Sequence, residues 1–537
     1  MRCALLSCAM ILTAACASSN ASSVVRPSAA QPASTAPFEI AYRIAMPDPS
    51  AHLYDVRMTV SHLGGDVIRL QMPVWSPGRY ARFDFARTVQ DLTITGANGA
   101  ALKWERENGS LWRVSLAGAR SMDIHYRVFA NTLSGTFSVL DSAHANWNGA
   151  SVFMYVVDHK PDRVTLHVDL PTGWHIVNGD ARTPDQTDYR FENYDRLIDT
   201  PTEVAPTLMI DSFTVDGRIY RTMVHHNGAS TQALRRRFVG DIEKIVRYEN
   251  TVFGVPPLEI YTFVFNIGYP GGDGMEHLYS TQIINRNPWR DQDVPLAGIG
   301  TAAHEYFHVW NVKRVRPIAL GPFDYTREQY QPSLWVAEGW TQYYGQVALY
   351  RAGVLQQGGF YPMVANAIVR PNLTDPGRKE VSARMSSFEA PFWDGVQPGY
   401  AVSQSSFFSY YTKGAGLALY FDLLIRSRSQ NARSLDDAFR NLRRSSWEQP
   451  NASYYLQGRG YTEDDVEHAV SEAAGTDLHD WFARHVGGVE DPDFDEALGW
   501  AGLRLVRGEN EWTIEEMPNA TPAQLRVRAG WMSGKSP

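Results

Sequence analysis

The residues best suited to chemistry lie in the stretch TAAHEYFHVWNVKRV, which covers residues 301–315. Residues four apart lie one turn apart on the same face of a helix, so the imidazoles of His304 and His308 can reach one ion. Glu305 lies at the edge of that face, where a carboxylate can accept a proton from a water that the ion activates. The spacing predicts a zinc site with a general base; the alternative is a helix that carries two histidines by chance.

A catalytic zinc ion takes three protein ligands and leaves a fourth position open. The extended pattern HExxHxxGxxH does not occur, because Asn311 and Arg314 stand where it requires glycine and histidine. The third ligand must therefore come from another segment of the chain.

The segment SLWVAEGWTQYYG contains the best candidate for the third ligand. Ser333 can cap a helix on which Glu338 lies among aromatic residues. A carboxylate buried there without a partner would be costly, and a cation is an obvious partner. The alternative is a surface glutamate on an amphipathic helix, and Asp324 and Glu328 are weaker candidates for the ligand.

The stretch GYPGGDGMEHLYST, residues 268–281, combines glycines with a carboxylate. A glycine-rich strand end allows the backbone to approach a ligand closely. If the substrate is a peptide with a free amine, Glu276 could hold the protonated N-terminus. A tight turn with a solvated glutamate explains the same spacing equally well.

The stretch SYYTKGAGLALYFDLLIR, residues 409–426, places two tyrosines before an apolar helix. The hydroxyl of Tyr410 or Tyr411 could donate a hydrogen bond to the oxyanion of a tetrahedral intermediate. Simple aromatic packing at the start of a helix is the alternative, and residue types alone favour it.

Composition excludes several classes of protein. The chain has 537 residues, of which 44% are hydrophobic and 20% charged, as in a globular protein with a large core. Its net charge is −8 without a long run of either sign, so we expect neither a nucleic-acid surface nor a polybasic membrane patch. All three cysteines (Cys3, Cys8 and Cys16) lie near the start, so His, Asp or Glu must hold any metal in the mature chain.

The first residues, MRCALLSCAMILTAACASS, have the pattern of an export signal. Arg2 supplies the positive charge, Ala4–Ala14 the apolar stretch, and Ala15-Cys16-Ala17 the small residues of a cleavage site. The apolar stretch is too short to span a bilayer. The same residues also form a weak lipidation box at Cys16. We therefore expect a periplasmic or extracellular protein, either secreted or anchored to the membrane as a lipoprotein.

The hydrophobic pattern divides the rest of the chain into units. Short runs of alternating apolar and polar residues predict an all-β, sandwich-like domain first, including a β-hairpin around Gly64-Gly65. Helical spacing around one glycine-terminated strand then predicts an α+β domain with a mostly helical second half. The predicted order is a signal peptide (1–17), a Ser/Ala/Pro-rich linker (18–36), a β-rich domain (37–215), a second domain (216–490) and a short tail (491–537).

Four motifs occur in the order and rough spacing of a known family, namely GMEH, HEYFH, WVAEGWTQYYG and SYYTKGA. In these motifs the chain resembles the glycyl aminopeptidase-type zinc metallopeptidases, which are relatives of aminopeptidase N and leukotriene A4 hydrolase. The segments PVWSPGRYARFDFARTVQDL and DRLIDTPTEVAP look like the β-rich leading domain of that family. The resemblance runs from about residue 40 to Gly502 and implies a thermolysin-like fold for the catalytic domain, residues 216–490.

The resemblance also implies a metal centre. His304, His308 and Glu338 match the residues that bind zinc, so one zinc ion per chain is expected. Glu305 matches the general base that activates water in this family.

The substrate-binding residues are implied in the same way. Glu276 matches the glutamate that recognises the α-amino group, and its neighbours Gly274, Met275 and His277 are expected to contact the substrate. His277 stands where Asn is usual in the wider group, as in the glycyl branch. Tyr411 matches the tyrosine that steadies the tetrahedral intermediate.

Members of this family commonly end in a PDZ domain, which follows a segment like LGWAGLRLV. Only 35 residues follow Gly502, too few for the strands and helices of that domain. The segment WTIEEMPNATPAQLRVRAGW is expected to form a hairpin or a PDZ-like remnant, so peptide docking by a complete PDZ domain is not assigned to this chain.

Together these residues predict an exported zinc aminopeptidase that removes small N-terminal residues from peptides. The preference for Gly or Ala is implied by the resemblance alone. One alternative is a zinc endopeptidase on the same scaffold, which would cleave N-acetylated peptides as readily as free ones. The other is a surface binding protein whose zinc is structural. The sequence specifies neither the physiological substrate nor the oligomeric state.

Overall fold

A computed structural model describes residues 38–226, 228, 231–289, 296–393, 407–450 and 454–535. The export signal, the linker and Cys16 lie outside these residues, so the predictions about them stay predictions. Two large hydrophobic cores divide the described chain, one in the β-rich N-terminal unit and one in the remainder. None of the helices within the described ranges combines the length and the apolar character needed to cross a membrane.

The N-terminal unit is a sandwich of short strands. The six-stranded sheet has the order β13-β11-β1-β2-β7-β4, and two four-stranded sheets have the orders β10-β3-β6-β5 and β12-β14-β9-β8. Alternate residues of the strands are buried, and the sheets share one core, as the alternating pattern predicted. The elements are β1 (Glu39–Ala45), β2 (Leu53–Ser61), β3 (Val67–Gln71), β4 (Val89–Gly96), β5 (Trp104–Arg106), β6 (Leu111–Ser115), β7 (Ser121–Phe129), β8 (Val139–Leu140), β9 (Ala145–Trp147), β10 (Tyr155–Val156), β11 (Val164–Asp169), β12 (His175–Asn178), β13 (Asp188–Phe191), helix α1 (Tyr194–Ile198) and β14 (Thr202–Ala205).

The predicted hairpin around Gly64-Gly65 is wrong. These glycines join β2 to β3, but β2 pairs with β1 and β7, whereas β3 pairs with β6 and β10 in another sheet. The chain therefore crosses between sheets at this point. Alternation shows that one face of each strand is buried, and this holds for both strands whichever sheet they join.

A five-stranded sheet begins the second unit, with the order β15-β16-β17-β19-β18. β15 lies before residue 216, where the predicted second domain begins, yet it pairs with β16 along its whole length. The strands are β15 (Met209–Val215), β16 (Arg218–His226), β17 (Ile260–Ile267), β18 (Gly272–Glu276) and β19 (Ser280–Asn285). β18 is the last strand in the sheet order, which places its residues at an edge.

Helices cover this sheet and form the rest of the unit. They are α2 (Gln232–Phe253), α3 (Leu296–Phe307), α4 (Leu334–Ala337), α5 (Gly339–Arg351), α6 (Gln357–Met363), α7 (Arg370–Thr374), α8 (Ala383–Phe388), α9 (Ala390–Trp393), α10 (Tyr410–Arg428), α11 (Leu435–Ser445), α12 (Glu463–Ala474), α13 (His479–His485) and α14 (Phe494–Trp500). α3 packs between β19 and α5, and α5 packs against α10. The HExxH segment, the candidate third ligand and Tyr411 are thereby brought to neighbouring helices.

The C-terminal segment folds back onto the helical unit. The hairpin predicted within residues 512–531 is wrong, because that segment forms one strand, β21 (Trp512–Glu516), and a helix, α15 (Pro522–Ser533). β21 pairs instead with β20 (Leu503–Arg507), which precedes the segment. Trp531 of α15 is fully buried against Phe360, and its carbonyl accepts hydrogen bonds from Arg351. This segment is therefore part of the second core.

Each unit inserts a tyrosine into the core of the other. Of the described residues before β15, Tyr80 is the one that packs within the second core. Tyr325, from the helical unit, is fully buried in the core of the sandwich. The two units are interlocked by this exchange.

Candidate active site

Three ligand atoms meet where α3 ends and α4 gives way to α5. The Nε2 atoms of His304 and His308 are 3.1 Å apart. Glu338 Oε2 lies 3.5 Å from His304 Nε2 and 3.4 Å from His308 Nε2. Zinc lies about 2.0–2.2 Å from such atoms, so two ligands of a tetrahedral ion stand about 3.3–3.5 Å apart. The three atoms therefore fit one ion of that size, as the sequence predicted.

The two histidines keep their helical spacing although α3 ends between them. The last helical residue is Phe307, and the amide of His308 still donates to the carbonyl of His304 at 3.4 Å. His308 is almost fully buried and His304 only slightly exposed. Both rings can therefore face one point from the same side of the chain.

Glu338 occupies the break between α4 and α5. Ser333 precedes α4, but its side chain makes no capping hydrogen bond to a described residue. Its backbone (φ −117°, ψ 22°) is not in the extended conformation that capping residues adopt. The Ser333 carbonyl instead accepts from the amides of Val336 and Ala337. The predicted helix is thus a single turn, and Glu338 follows it.

Asn311 joins the two parts of the ligand set. Its carbonyl accepts a hydrogen bond from His308 Nδ1 at 2.5 Å, so the lone pair of the neutral ring lies on Nε2. Its side-chain amide donates to the carbonyls of Val336 and Ala337, immediately before Glu338. Outer hydrogen bonds of this kind orient metal ligands. In the sequence Asn311 only excludes the extended motif, and no local pattern indicates this second role.

Tyr80 of the N-terminal unit also reaches the ligand set. Its hydroxyl donates to Glu338 Oε1, the oxygen that does not face the histidines. The ring is buried and packs edge-on against Tyr410, with ring centroids 6.0 Å apart. In the sequence this segment is marked only by its family resemblance; the signal for a role in the site is a tyrosine directly after a Pro-Gly turn.

Glu305 lies beside the ligands in a confined position. A Cβ built on Gly274 would lie 2.0 Å from Glu305 Oε1, so the bare backbone of the glycine is what allows the carboxylate to sit there. Glu305 Oε2 is buried without a hydrogen-bond partner among the described residues. Burial raises the pKa of Glu305 well above its ordinary value, although the positive charge of His308 opposes this. A carboxylate placed and tuned in this way can act as a base.

The residues of the motif GMEH have different surroundings: Glu276 lies in the site, whereas Met275 and His277 face the N-terminal unit. Glu276 is buried, and one of its oxygens lies within 4.8 Å of ligand atoms of Glu305 and His308. Glu276 Oε1 has no hydrogen-bond partner in the described parts of the chain. Met275 is fully buried beneath the N-terminal unit. His277 Nδ1 donates to Asp199 at 3.0 Å, so the structure turns this ring towards the N-terminal unit.

Tyr411 lies in the first turn of α10 beside the ligands. Its ring centroid is 6.1 Å from that of His304, and the two planes are inclined by 28°. Tyr411, His304, Glu305 and Gly274 line one cleft of about 440 Å³. The structure therefore brings the predicted tyrosine to the wall of the site, next to the candidate metal ligand His304.

A second group of two histidines and a glutamate lies between the two units and differs from the first. Glu203 Oε1 accepts a hydrogen bond from His144 Nδ1 at 2.8 Å, and His225 Nδ1 lies 3.2 Å from the same oxygen. Its other oxygen accepts from the amides of Asn146 and Asn266. Three hydrogen bonds and the nearby His225 ring already satisfy this buried carboxylate, so these contacts account for the group. In the group of His304, His308 and Glu338, two imidazole nitrogens face each other at 3.1 Å, an arrangement that a metal ion between the ligands would explain.

Comparison with known proteins agrees with this geometry. Residues 41–206 match the Peptidase M61 N-terminal domain, and residues 297–417 match the M61 glycyl aminopeptidase domain. The chain belongs to the M61 glycyl aminopeptidase family. The two matches together cover more than half of the chain, and the second includes His304, His308, Glu338 and Tyr411. The protein is therefore a metallopeptidase, as the motifs predicted.

Solved structures place this M61 peptidase in a known fold. An aminopeptidase N family protein from Idiomarina loihiensis has a TM-score of 0.76 at 24% identity, over 87% of this chain and 79% of that chain. The M1 zinc metallopeptidase from Deinococcus radiodurans has a TM-score of 0.47 at 13% identity, over 85% and 94% of the two chains. Yeast LTA4 hydrolase in complex with bestatin has a TM-score of 0.47 at 15% identity, over 86% and 70%. The element order and the likeness to the Idiomarina loihiensis protein confirm the predicted fold class, a β-rich domain followed by a helical peptidase domain. No curated protein matches the chain.

Proposed function

We propose that this M61 peptidase is an exported zinc aminopeptidase that removes small N-terminal residues, Gly or Ala, from peptides. The observation that carries the proposal is Glu276 Oε1, which is buried beside Glu305 without a hydrogen-bond partner among the described residues. Buried carboxylates need a donor or a cation. The ammonium group of a peptide N-terminus supplies both, whereas an internal peptide bond supplies an N–H donor but no positive charge.

The charge of the site supports a metal and an amine together. Glu276, Glu305 and Glu338 bring three carboxylates into one buried space with two imidazoles. Burial lowers the pKa of His308, yet the charges of Glu338 and Glu276 outweigh it and raise this pKa to about 10. A divalent zinc ion and one ammonium group carry three positive charges, which balance the three carboxylates if the imidazoles are neutral.

The residues then take separate roles in hydrolysis. His304, His308 and Glu338 would hold zinc, which as a Lewis acid polarises the scissile carbonyl and makes water more acidic. Glu305 accepts the proton of the attacking water and passes it to the departing amine. The hydroxyl of Tyr411 donates a hydrogen bond to the oxyanion that develops on the substrate.

Glu276 determines which peptide bond of the substrate is cleaved. A carboxylate that holds the α-ammonium group beside the base leaves room for one residue between the amine and the scissile bond. The preference for Gly or Ala is supported by the glycyl aminopeptidase description of the matched family. Export is supported by the signal pattern of residues 1–17.

Zinc analysis combined with hydrolysis of Gly-, Ala- and Leu-arylamides tests the proposal. We expect one zinc ion per chain and a higher kcat/KM for the Gly and Ala substrates than for the Leu substrate. A protein that prefers Leu would contradict the proposed specificity. A protein that is active without any metal would contradict the zinc mechanism.

Replacing a metal ligand should remove both zinc and activity. His304→Ala takes away one of three ligands, and we expect the purified variant to hold well under one zinc ion per chain. Elemental analysis after dialysis measures this. His225→Ala, in the hydrogen-bonded group around Glu203, is the matched control and should keep one zinc ion. Loss of zinc in His225→Ala but not in His304→Ala would place the ion in the group around Glu203 and contradict its assignment to His304, His308 and Glu338.

Replacing the tyrosine beside His304 should slow the chemical step. Tyr411→Phe removes a single hydrogen-bond donor, and such a loss at an oxyanion costs about 100- to 1,000-fold in kcat. Zinc content should not change. Steady-state kinetics on a Gly-arylamide measure the effect, with Tyr410→Phe as the neighbouring control. If the two variants are equally active, Tyr411 has only a packing role.

A further inference from the structure

We propose that the segment Trp75–Tyr80 of the N-terminal unit belongs to the active site and positions residues in it. Within it, Tyr80 is a positioning residue for the metal ligand Glu338. The turn that precedes Tyr80 positions β18, the edge strand that carries Glu276. This inference rests on the proposed function, because it concerns the same ion and the same amine site.

Tyr80 determines which oxygen of Glu338 is offered to the ion. The phenol donates to Oε1, while Oε2 is the atom that lies 3.4–3.5 Å from the two imidazoles. No other described side chain donates a hydrogen bond to Oε1, so without the phenol the carboxylate could rotate. Groups that hold a ligand in this way typically contribute 10–100-fold to metal affinity.

The turn before Tyr80 lies directly on the amine site. Ser76-Pro77-Gly78-Arg79 has the pattern of a type II turn, with a bond of 3.1 Å from the Arg79 amide to the Ser76 carbonyl and φ of +87° at Gly78. A Cβ on Gly78 would lie 2.7 Å from Glu276 Oε2 and 2.3 Å from Met275 Sδ. The glycine therefore allows the turn to close over Glu276, which limits the positions that its carboxylate can take.

Arg79 ties the same strand to the N-terminal unit. Its guanidinium pairs with Asp273 and donates to the Gly274 carbonyl at 3.3 Å, both in β18. Its Nε donates to Thr136 of the sandwich at 2.7 Å. Among the strands that the structure describes, β18 pairs with β19 alone, so this clamp replaces the support that a second neighbouring strand would give.

The segment is itself held firmly by the helical unit. Trp75 is buried, its indole donates to the carbonyl of Asp324, and its ring packs against Phe323 and Tyr325. The amide of Val74 donates to the carbonyl of Tyr325 at 2.9 Å. A segment fixed at this end can hold Tyr80 and Gly78 in place, so docking of the two units and the geometry of the site are coupled.

Tyr80→Phe tests the first half of the proposal. Phenylalanine keeps the ring in the second core and removes only the hydroxyl, so the fold should persist. We expect zinc affinity, measured by competition with a chelating indicator, to fall 10–100-fold. Tyr42→Phe is the control, because its hydroxyl makes a buried bond to the Met154 carbonyl far from the metal. Zinc affinity in Tyr80→Phe equal to that of the control would overturn the positioning role.

Arg79→Met tests the second half. Loss of the clamp should leave zinc affinity unchanged and raise KM for Gly-arylamide, with a loss in kcat/KM of up to about 100-fold from misplacement of β18. Arg43→Met, which breaks an exposed pair with Asp169, is the control. An unchanged KM in Arg79→Met would overturn this half.

The wild type separates this inference from the proposed function. If the wild type lacks zinc or does not cleave Gly-arylamide, the proposed function fails. If the wild type behaves as proposed while Tyr80→Phe and Arg79→Met match their controls, the inference alone fails.

Discussion

Glu305→Gln is expected to lower kcat for a Gly-arylamide by roughly 2–4 orders of magnitude, while the variant still binds one zinc ion. Glutamine has the shape of glutamate and fits beside Gly274, where there is no space for a larger group. It cannot accept a proton from water. Because Glu305 is not one of the three ligands, the metal centre should persist. Steady-state kinetics and elemental analysis on the same preparation measure both quantities.

A second buried glutamate supplies a matched control for Glu305. Glu249 of α2 is also buried, and burial raises its pKa well above the ordinary value, so glutamine mimics its neutral form. Glu249→Gln should keep kcat within a few-fold of the wild type. If Glu305→Gln is equally active, the carboxylate is not the base. A binding protein with a structural zinc ion would behave in that way.

Glu276→Gln is expected to lower kcat/KM for substrates with a free amine by roughly 30-fold to several thousand-fold. Removal of one partner of a buried charge pair costs about 2–5 kcal/mol, and each 1.36 kcal/mol corresponds to tenfold in rate. Glutamine preserves the volume beneath Gly78 and removes only the charge. The loss should be largest below the pKa of the substrate amine, where the ammonium form dominates. Kinetics on Gly-arylamide at two pH values measure this.

The control for Glu276 lies in the substrate. An N-acetylated peptide has no ammonium group, so any residual cleavage of it should be the same in Glu276→Gln as in the wild type. A variant that hydrolyses Gly-arylamide with wild-type kcat/KM would remove the amine-anchor role. The zinc centre could then still stand, because the ligands do not include Glu276.

Local spacing was enough to predict the core of the site. Residues four apart in HEYFH must share a side of the helix, and the structure places their nitrogens 3.1 Å apart. Glu338 was found by a different argument, the cost of burying a carboxylate among aromatic residues, and it faces both histidines. These inferences depend on geometry within a few residues or on the burial of one side chain, which sequence carries directly.

Local spacing and the burial of single side chains could not predict the contacts between distant segments. Tyr80 and Glu338 are 258 residues apart, and no residue pattern in either segment indicates that their side chains meet. The strands on either side of Gly64-Gly65 were found, but their partners were not, because each buries one face in any sheet. The orienting role of Asn311 was missed for a similar reason, since its contacts cross to the segment before Glu338.

The central claim is that Glu276 restricts a zinc peptidase to free N-termini, and one pair of substrates tests it most directly. The pair is Gly-Ala-Ala-arylamide with a free amine and the same compound with an N-acetyl group, incubated with the zinc-loaded wild type. The account predicts release of glycine from the first and a rate at least about 30-fold lower for the second, since its amide carries no positive charge to pair with the buried carboxylate. Cleavage of both at the same rate would contradict it and identify an endopeptidase.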